Sequence, residues 1–378
     1  MGPMLFLLCL QLTIGSIITD EDRTRLTSLA NEFLREQPVT IVAFPARRSA
    51  GGIHDYFSEG DYWWPDSTNP DGPYVRRDGL TNPDNFEAHR LALKRFGIRV
   101  STLVAAYRLT GDQKYARHAL RHLNAWFVDP ATRMNPTLLY AQAINGRVTG
   151  RGIGIIDTIH LIEVARAIGA LMQHGAISDS EAGPVVEWFR DYLSWLTTHQ
   201  YGRDEREARN NHGTWWVAQV ASFATLTGDT ALLDSSRQRF REILLPTQIK
   251  ADGTFPLELE RTRPYAYSLF NLEGMAVICR LLSSGKEDLW NFTLSDGRSV
   301  RRAFTYLAPM VRDKSKWPYP KDVTYFDQLP VRQMAWLFAG AAYGDSSLLA
   351  LWQTLNPVQR SDEIIRTFAI RQPLLWFD

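Results

Sequence analysis

The sequence predicts an all-α chain, an incomplete (α/α) toroid of about five to seven helix hairpins with a long irregular N-terminal loop. Three observations carry this expectation. Apolar residues recur at helical spacing over most of the chain beyond Asn85. The turn Leu-Thr-Gly-Asp joins two helix-like segments twice, at Leu109 to Asp112 and at Leu226 to Asp229, with a weaker echo at Ala342-Tyr343-Gly344-Asp345. Strand-like alternation is nearly absent. The hairpins are irregular in length, whereas an open solenoid repeats with one period. No linker divides the chain, so residues 19–378 read as a single domain.

Taken in order, Thr19 followed by Asp20, Glu21 and Asp22 is an N-cap with an acidic first turn, opening a helix to about Arg35. Residues 37–83 are dense in Pro, Gly, Asn and Asp, which deny regular structure. A loop this long is functional or disordered, and Tyr56, Tyr62, Trp63 and Trp64 need somewhere to pack. Phe86, Leu91, Leu93, Phe96, Ile98, Val100, Leu103 and Val104 then mark a helix to Leu109. Thr110-Gly111-Asp112 stops it and caps the next, from Gln113 to about Phe127. Further helices are expected over 152–172, 178–197, 215–226, 230–244, 268–283, 298–312, 331–343 and 348–355.

The chain has 378 residues, 45% apolar and 12% aromatic, as in a soluble globular protein. A net charge of +1 provides no global field to attract nucleic acid or a membrane, and neither is expected as a partner. The 42 basic residues are 35 Arg and 7 Lys. Arginine binds carboxylates bidentately, although a GC-rich genome produces the same bias. Met4 to Ile18 is an apolar run of about fifteen residues, too short for a membrane span and suited to a signal-peptide h-region. We therefore expect residues 1–18 to be a signal peptide cut near Gly15 or Ser16, and a secreted or periplasmic product. The run lacks Lys or Arg before it, and the competing reading is a buried N-terminal helix. Cys279, in a helical apolar pattern, reads as a buried thiol.

Two stretches concentrate polar chemistry: Glu207 to Trp216, containing Arg209-Asn210-Asn211-His212, and Glu260 to Tyr267, containing Arg261, Arg263, Tyr265 and Tyr267. Each lies before or at the mouth of a helix, where free N–H groups and the dipole favour an anion. A simple N-cap explains one asparagine but not two plus a histidine. Gly146-Arg147-Val148-Thr149-Gly150-Arg151-Gly152, with Gln142 and Asn145, is Gly-rich but lacks the strand and the ending of a phosphate loop. It reads as a carboxylate subsite or as arginines that stabilise a loop. Trp63, Trp64, Arg76 and Arg77 either contact a sugar or anchor the long loop. His118 and His122 stand at i and i+4 without a third ligand, which favours a surface helix over a metal pair. His160, His174 and His199 read as structural. No metal and no cofactor are expected.

Arg-Asn-Asn-His-Gly-Thr-Trp at 209–215, followed by Glu-Arg-Thr-Arg-Pro-Tyr-Ala-Tyr-Ser-Leu-Phe-Asn-Leu from Glu260, resembles the alginate lyase family of polysaccharide lyases. Gly60 to Asp66, Asp71 to Gly79 and Gly146 to Gly152 fit the same resemblance, which runs from about Asp55 to Phe338. It implies an (α/α) toroid and β-elimination on a polyuronate, an anionic polysaccharide; a 1,4-linked polymer such as alginate or glucuronan is the expected substrate, and the chain is expected to be a monomer.

Such a cleavage removes H5, alpha to the C6 carboxylate, and expels O4. The enolate needs donors or a cation at the carboxylate, and proton transfer needs a base and an acid. The resemblance gives Asn211 and His212 the first task, with Arg261 supporting, and makes Tyr267 the catalytic tyrosine, its pKa lowered by Arg261. In a syn elimination Tyr267 serves as both base and acid; in an anti elimination His212 is the base and Tyr267 protonates O4. Tyr265 rivals Tyr267 only if the two share a face, as on a strand or loop; the family spacing selects Tyr267. Arg263 is a substrate-binding or a structural arginine. The alternatives are a glycoside hydrolase using carboxylates among Asp157, Glu163, Asp204, Glu205, Glu258 and Glu260, most of which are expected in ion pairs with arginine, and a non-catalytic polyuronate-binding toroid.

Overall fold

The computed structural model describes residues 17–377 apart from residue 70. The expected signal segment therefore lies outside the described residues except for Ile17 and Ile18, which are buried. The helices are α1 (Asp20–Phe33), α2 (Ala88–Thr110), α3 (Gln113–Phe127), α4 (Leu161–Gln173), α5 (Asp179–Thr198), α6 (Gln200–Arg206), α7 (Asn211–Thr227) and α8 (Thr230–Arg239). They continue as α9 (Leu245–Gln248), α10 (Pro256–Leu259), α11 (Pro264–Leu282), α12 (Val300–Arg312), α13 (Met334–Tyr343), α14 (Ser346–Thr354) and α15 (Asp362–Thr367).

An inner ring runs α2, α4, α7, α11, α13, each packed on the next, while α3, α5, α8, α12 and α14 pack outside them. This is the incomplete (α/α) toroid. Burial explains the two rings. α7, α11 and α13 are buried along nearly their whole length and carry almost no charge, as a helix surrounded by others must. α3 and α12 bury one stripe and present the other to solvent. The chain end returns to the start of the ring, where the 3-10 turn Pro373–Leu375 lies against α2 and α4.

The repeated Gly-Asp turn is the joint of these hairpins. Gly111, Gly228 and Gly344 have φ of 72°, 75° and 62°, a left-handed conformation that ends a helix at low steric cost. The aspartate that follows accepts from the first-turn N–H groups of the next helix, at Lys114, Leu232 and Ser347.

Two helices start earlier than their apolar pattern. α7 begins at Asn211 rather than near Trp215, and α11 at Pro264 rather than at Ser268. The charged segment ahead of α7 holds the short helix α6. The long loop contributes three short strands, β1 (Phe57–Glu59), β2 (Trp63–Trp64) and β3 (Val75–Arg76), and Tyr140–Ala143 forms β4. β1 runs parallel to β4, and β2 pairs antiparallel with β3. These two small sheets fasten the loop over one end of the ring. His118 and His122 are not on a surface: both are buried, with His118 Nε2 at 3.0 Å from the Glu36 carbonyl and 3.3 Å from His122 Nε2. Burial pushes the His122 pKa down to about 3, with His118 adding to the effect, so the His122 imidazole is neutral.

Candidate active site

A cavity of about 300 Å3 opens at this end of the ring. Its wall draws on five separated segments, represented by Tyr62 and Trp63, by Gln142 and Arg151, by Asn210 to His212, by Arg261 and Tyr267, and by Glu363 and Arg366. Asn211, His212, Arg261 and Tyr267 are thus brought together, with Trp63, Arg76, Arg151 and Asn210 beside them.

The start of α7 is held from outside the helix. Asn211 donates its backbone N–H to Glu258 Oε1 at 2.7 Å and its Nδ2–H to Oε2 at 2.6 Å. The anion at this helix mouth is therefore Glu258, not a ligand, and the amide keeps one N–H for the cavity. Asn210 stands at the N-cap position, but its side chain makes no capping hydrogen bond. His212 donates Nδ1–H to Glu205 Oε1 at 2.6 Å, leaving Nε2 to the cavity. Burial disfavours the imidazolium, but Glu205, and more weakly Glu258, outweigh it and lift His212 above its ordinary value.

Tyr267 lies in the first turn of α11, with its phenol 2.7 Å from that of Tyr62. The Arg261 and Arg263 guanidiniums stand 4.5 Å and 5.5 Å from its ring centroid. The expected lowering by Arg261 does not prevail: burial, reinforced by Tyr62, pushes the Tyr267 phenol well above its usual range despite both arginines. The phenol is held protonated. Arg261 is itself positioned by Asp78, which accepts from its Nη2 at 3.1 Å and from Thr262 Oγ at 3.0 Å.

On a helix Tyr265 and Tyr267 point to different sides. Tyr265 is fully buried, its phenol donating to the Met310 carbonyl at 3.3 Å and its ring edge-on to Trp317 and Phe326. It does not line the cavity. Arg263 is also buried, paired with Glu363 at 2.6 Å, and is a structural arginine behind Tyr267.

Trp64 and Arg77 fasten the loop. Trp64 Nε1 donates to the Leu80 carbonyl, and the Arg77 guanidinium lies 5.3 Å from the Trp64 ring. Arg209 is exposed between two cavity-lining residues, Ala208 and Asn210. Arg76 lines the cavity but is paired with Asp78 at 2.6 Å. Trp63 carries the Arg147 and Arg151 guanidiniums at 5.4 Å and 5.8 Å from its ring. Asn145 and Arg147 line a neighbouring cleft of about 530 Å3. Arg147 Nε donates to the Tyr74 carbonyl, and Arg151 donates to the Gln142 carbonyl and side chain. Burial and nearby Arg76 push Arg151 down to about 10. Gln142 itself has a φ of 50°, strained backbone at the cavity wall.

A chain of alternating charge lies beneath the cavity: Asp157, Arg90, Asp61, Arg366, Glu363 and Arg263, of which the sequence had singled out only Asp157 and Arg263. Asp61 and Tyr62 sit inside a quoted motif; Glu363 and Arg366 lie beyond Phe338 and carried no signal. The six carboxylates weighed for hydrolysis are otherwise placed. Asp157 pairs with Arg90, but Glu205 holds His212, Glu258 holds Asn211, and Glu163 accepts the backbone N–H of Arg371 and Gln372. Asp204 and Glu260 are exposed. The expected ion pairs with arginine are thus largely replaced by hydrogen bonds to neutral groups and histidine. Among the described residues, no group of three or more His, Cys, Asp or Glu is placed to hold a metal ion, and no helix is long and apolar enough to cross a membrane.

The family model described as alginate lyase matches residues 42–317. The chain belongs to the alginate lyase family. It is a polysaccharide lyase, and membership implies a polyuronate substrate. A crystal structure of an alginate lyase from Bacteroides ovatus is 33% identical, with a TM-score of 0.80 over 92% of each chain. Alginate lyase A1-III, as a histidine-to-alanine variant complexed with a tetrasaccharide, superposes with a TM-score of 0.60 at 15% identity over 94% of each chain. Its tyrosine-to-phenylalanine variant, also complexed with a tetrasaccharide, gives 0.59 at 14%. Likeness at this identity shows the fold alone. No curated protein matches the chain.

Proposed function

We propose that this alginate lyase family member cleaves a 1,4-linked polyuronate, alginate or glucuronan, by β-elimination at the cavity that holds Asn211, His212, Arg261 and Tyr267. The observation that carries the reading is the pairing of a carboxylate-backed imidazole with a phenol kept protonated by burial, in one cavity. One is suited to take a proton, the other to give one.

The Asn211 amide and the Arg261 guanidinium neutralise the C6 carboxylate as charge builds there. His212 Nε2 takes H5. The C5–H electron pair becomes the C4=C5 double bond as the C4–O4 bond breaks, and O4 leaves with the Tyr267 proton. The imidazolium then returns a proton to the phenolate through solvent. Arg147 and Arg151, whose contacts are to carbonyl and amide oxygens, bind carboxylates of neighbouring sugars. The carboxylates lining the cavity, Asp61 and Glu363, are both paired with Arg366, which disfavours a hydrolase pair. The reading extends to a monomeric single domain over residues 19–378, and to export, which rests on the apolar run from Met4 alone.

The test is incubation with mannuronan, guluronan and glucuronan, followed by ultraviolet absorbance of the unsaturated product. Absorbance on at least one polymer is expected, and the profile identifies the uronate. Folded protein that produces none on any of them sinks the proposal.

A further inference from the structure

We infer that Glu205 is a positioning residue for this reaction, holding the His212 imidazole with Nδ1–H bound and Nε2 turned to the cavity. The inference rests on the reading that His212 takes the proton.

The local fold is built for this contact. α6 ends at Arg206, the chain turns, and α7 begins at Asn211, so residues 205 and 212 face each other across the turn. A side chain at Gly202 would strike the Leu196 carbonyl, and one at Gly213 the Ala208 carbonyl; glycine at both lets the two helices close on the turn. Glu205 is 1% exposed. Its Oε1 is bound to His212 at 2.6 Å, and its Oε2 has no hydrogen-bond partner. A carboxylate this buried is costly to leave without a charged partner. A proton arriving on His212 completes an ion pair that the fold has already half assembled.

In the step itself one proton moves from C5 to Nε2 and Glu205 stays a carboxylate throughout. It touches no substrate and acts only through the imidazole. Orientation of a histidine by a carboxylate on its other nitrogen fixes the tautomer and raises its basicity.

The charged groups acting on His212 from the packed elements are Glu205 on α6, Glu258 on α10 and Arg261 before α11, while Tyr267 on α11 and Arg151 before α4 line the same cavity. Asp157, on the turn between Arg151 and α4, is bound to Ser58 and Tyr56 instead. Glu205 and Glu258 favour the imidazolium, while burial and Arg261 oppose it. Neutral His212 is the active base, so activity rises with pH through its titration. Removing the Glu205 charge moves that limb to lower pH.

Glu205→Gln keeps shape and an acceptor but loses the charge. Its acid limb of kcat is expected to shift to lower pH, its plateau to fall about tenfold, and KM to stay within about twofold because Glu205 lies behind the imidazole. Glu205→Asp, which restores the charge, returns the limb toward that of the parent. The His212 titration is read in parallel by NMR without substrate. A limb and an NMR titration that both stay in place in Glu205→Gln overturn the inference even when the parent is fully active. If the parent cleaves no polyuronate, the functional reading falls, and the NMR titration still decides whether Glu205 governs His212.

Discussion

Replacing Tyr267 with phenylalanine separates chemistry from architecture. The substitution removes one oxygen and one hydrogen bond, the 2.7 Å contact to Tyr62. The ring stays, and with it the Arg261 and Arg263 guanidiniums at 4.5 Å and 5.5 Å. Loss of one such bond lowers stability by about 1 kcal/mol, which in a chain of this size moves Tm by about 2 °C. The catalytic loss is of another order. A positioned general acid contributes about 10²- to 10⁴-fold, or roughly 3–5 kcal/mol of barrier. The substrate carboxylate still meets Asn211 and Arg261, so KM is expected within about threefold. The assay is initial rate by ultraviolet absorbance, beside a thermal melt and a binding titration with the same polymer. A variant with unchanged Tm and kcat within about threefold of the parent refutes the role given to Tyr267. Tyr62→Phe is the contrast: it removes the same bond while leaving the acid, and retains most of the rate.

Other expectations follow from particular contacts. Tyr265→Phe, which loses only the bond to Met310, leaves kcat unchanged; a loss matching that of Tyr267→Phe would show that the two phenols had been assigned the wrong way round. Arg151→Ala is expected to raise KM about tenfold with kcat nearly unchanged, the signature of lost ground-state binding, read from full saturation curves. Glu273, fully buried at the centre of α11, is pushed up to about 8 by burial. The folded form retains a proton that the unfolded chain releases above its ordinary value of 4.5. Glu273 therefore lowers stability progressively as pH rises through that window, by up to about 1.4 kcal/mol per pH unit. Glu273→Gln removes this slope, so melting curves of parent and variant should diverge toward alkaline pH; parallel curves would show that Glu273 does not titrate there.

The parts of the fold legible in the sequence are those whose physics is local. A glycine in the left-handed region followed by a capping aspartate stops one helix and starts another within four residues, and so the hairpin joints at Gly111 and Gly228 could be read directly. The starts of α7 and α11 could not, and for one shared reason. Their caps come from elsewhere: Glu258 binds the Asn211 N–H, and Asp322 binds the N–H groups of Tyr265 and Ala266 at 2.8 Å and 2.9 Å. The same distance in sequence hid Asp78 behind Arg261 and Arg366 behind Asp61. Asn211, His212, Arg261 and Tyr267 were named from motif and chemistry, and the fold brings them to one cavity. Their supporting carboxylates were weighed as catalysts in their own right, because a sequence shows which acids exist but not which way they face. Tyr265 was settled only by the helix that begins at Pro264, which sends it away from Tyr267.

The placement of α15 has a consequence for the life of the chain. Glu363 and Arg366 reach the cavity from its last stretch, after every helix of the ring has been made. A growing chain can therefore close its ring while one wall of the cavity is still missing. A product truncated before Asp362 would lack that wall, and with it the ion-pair partner of Arg263 and one partner of Asp61.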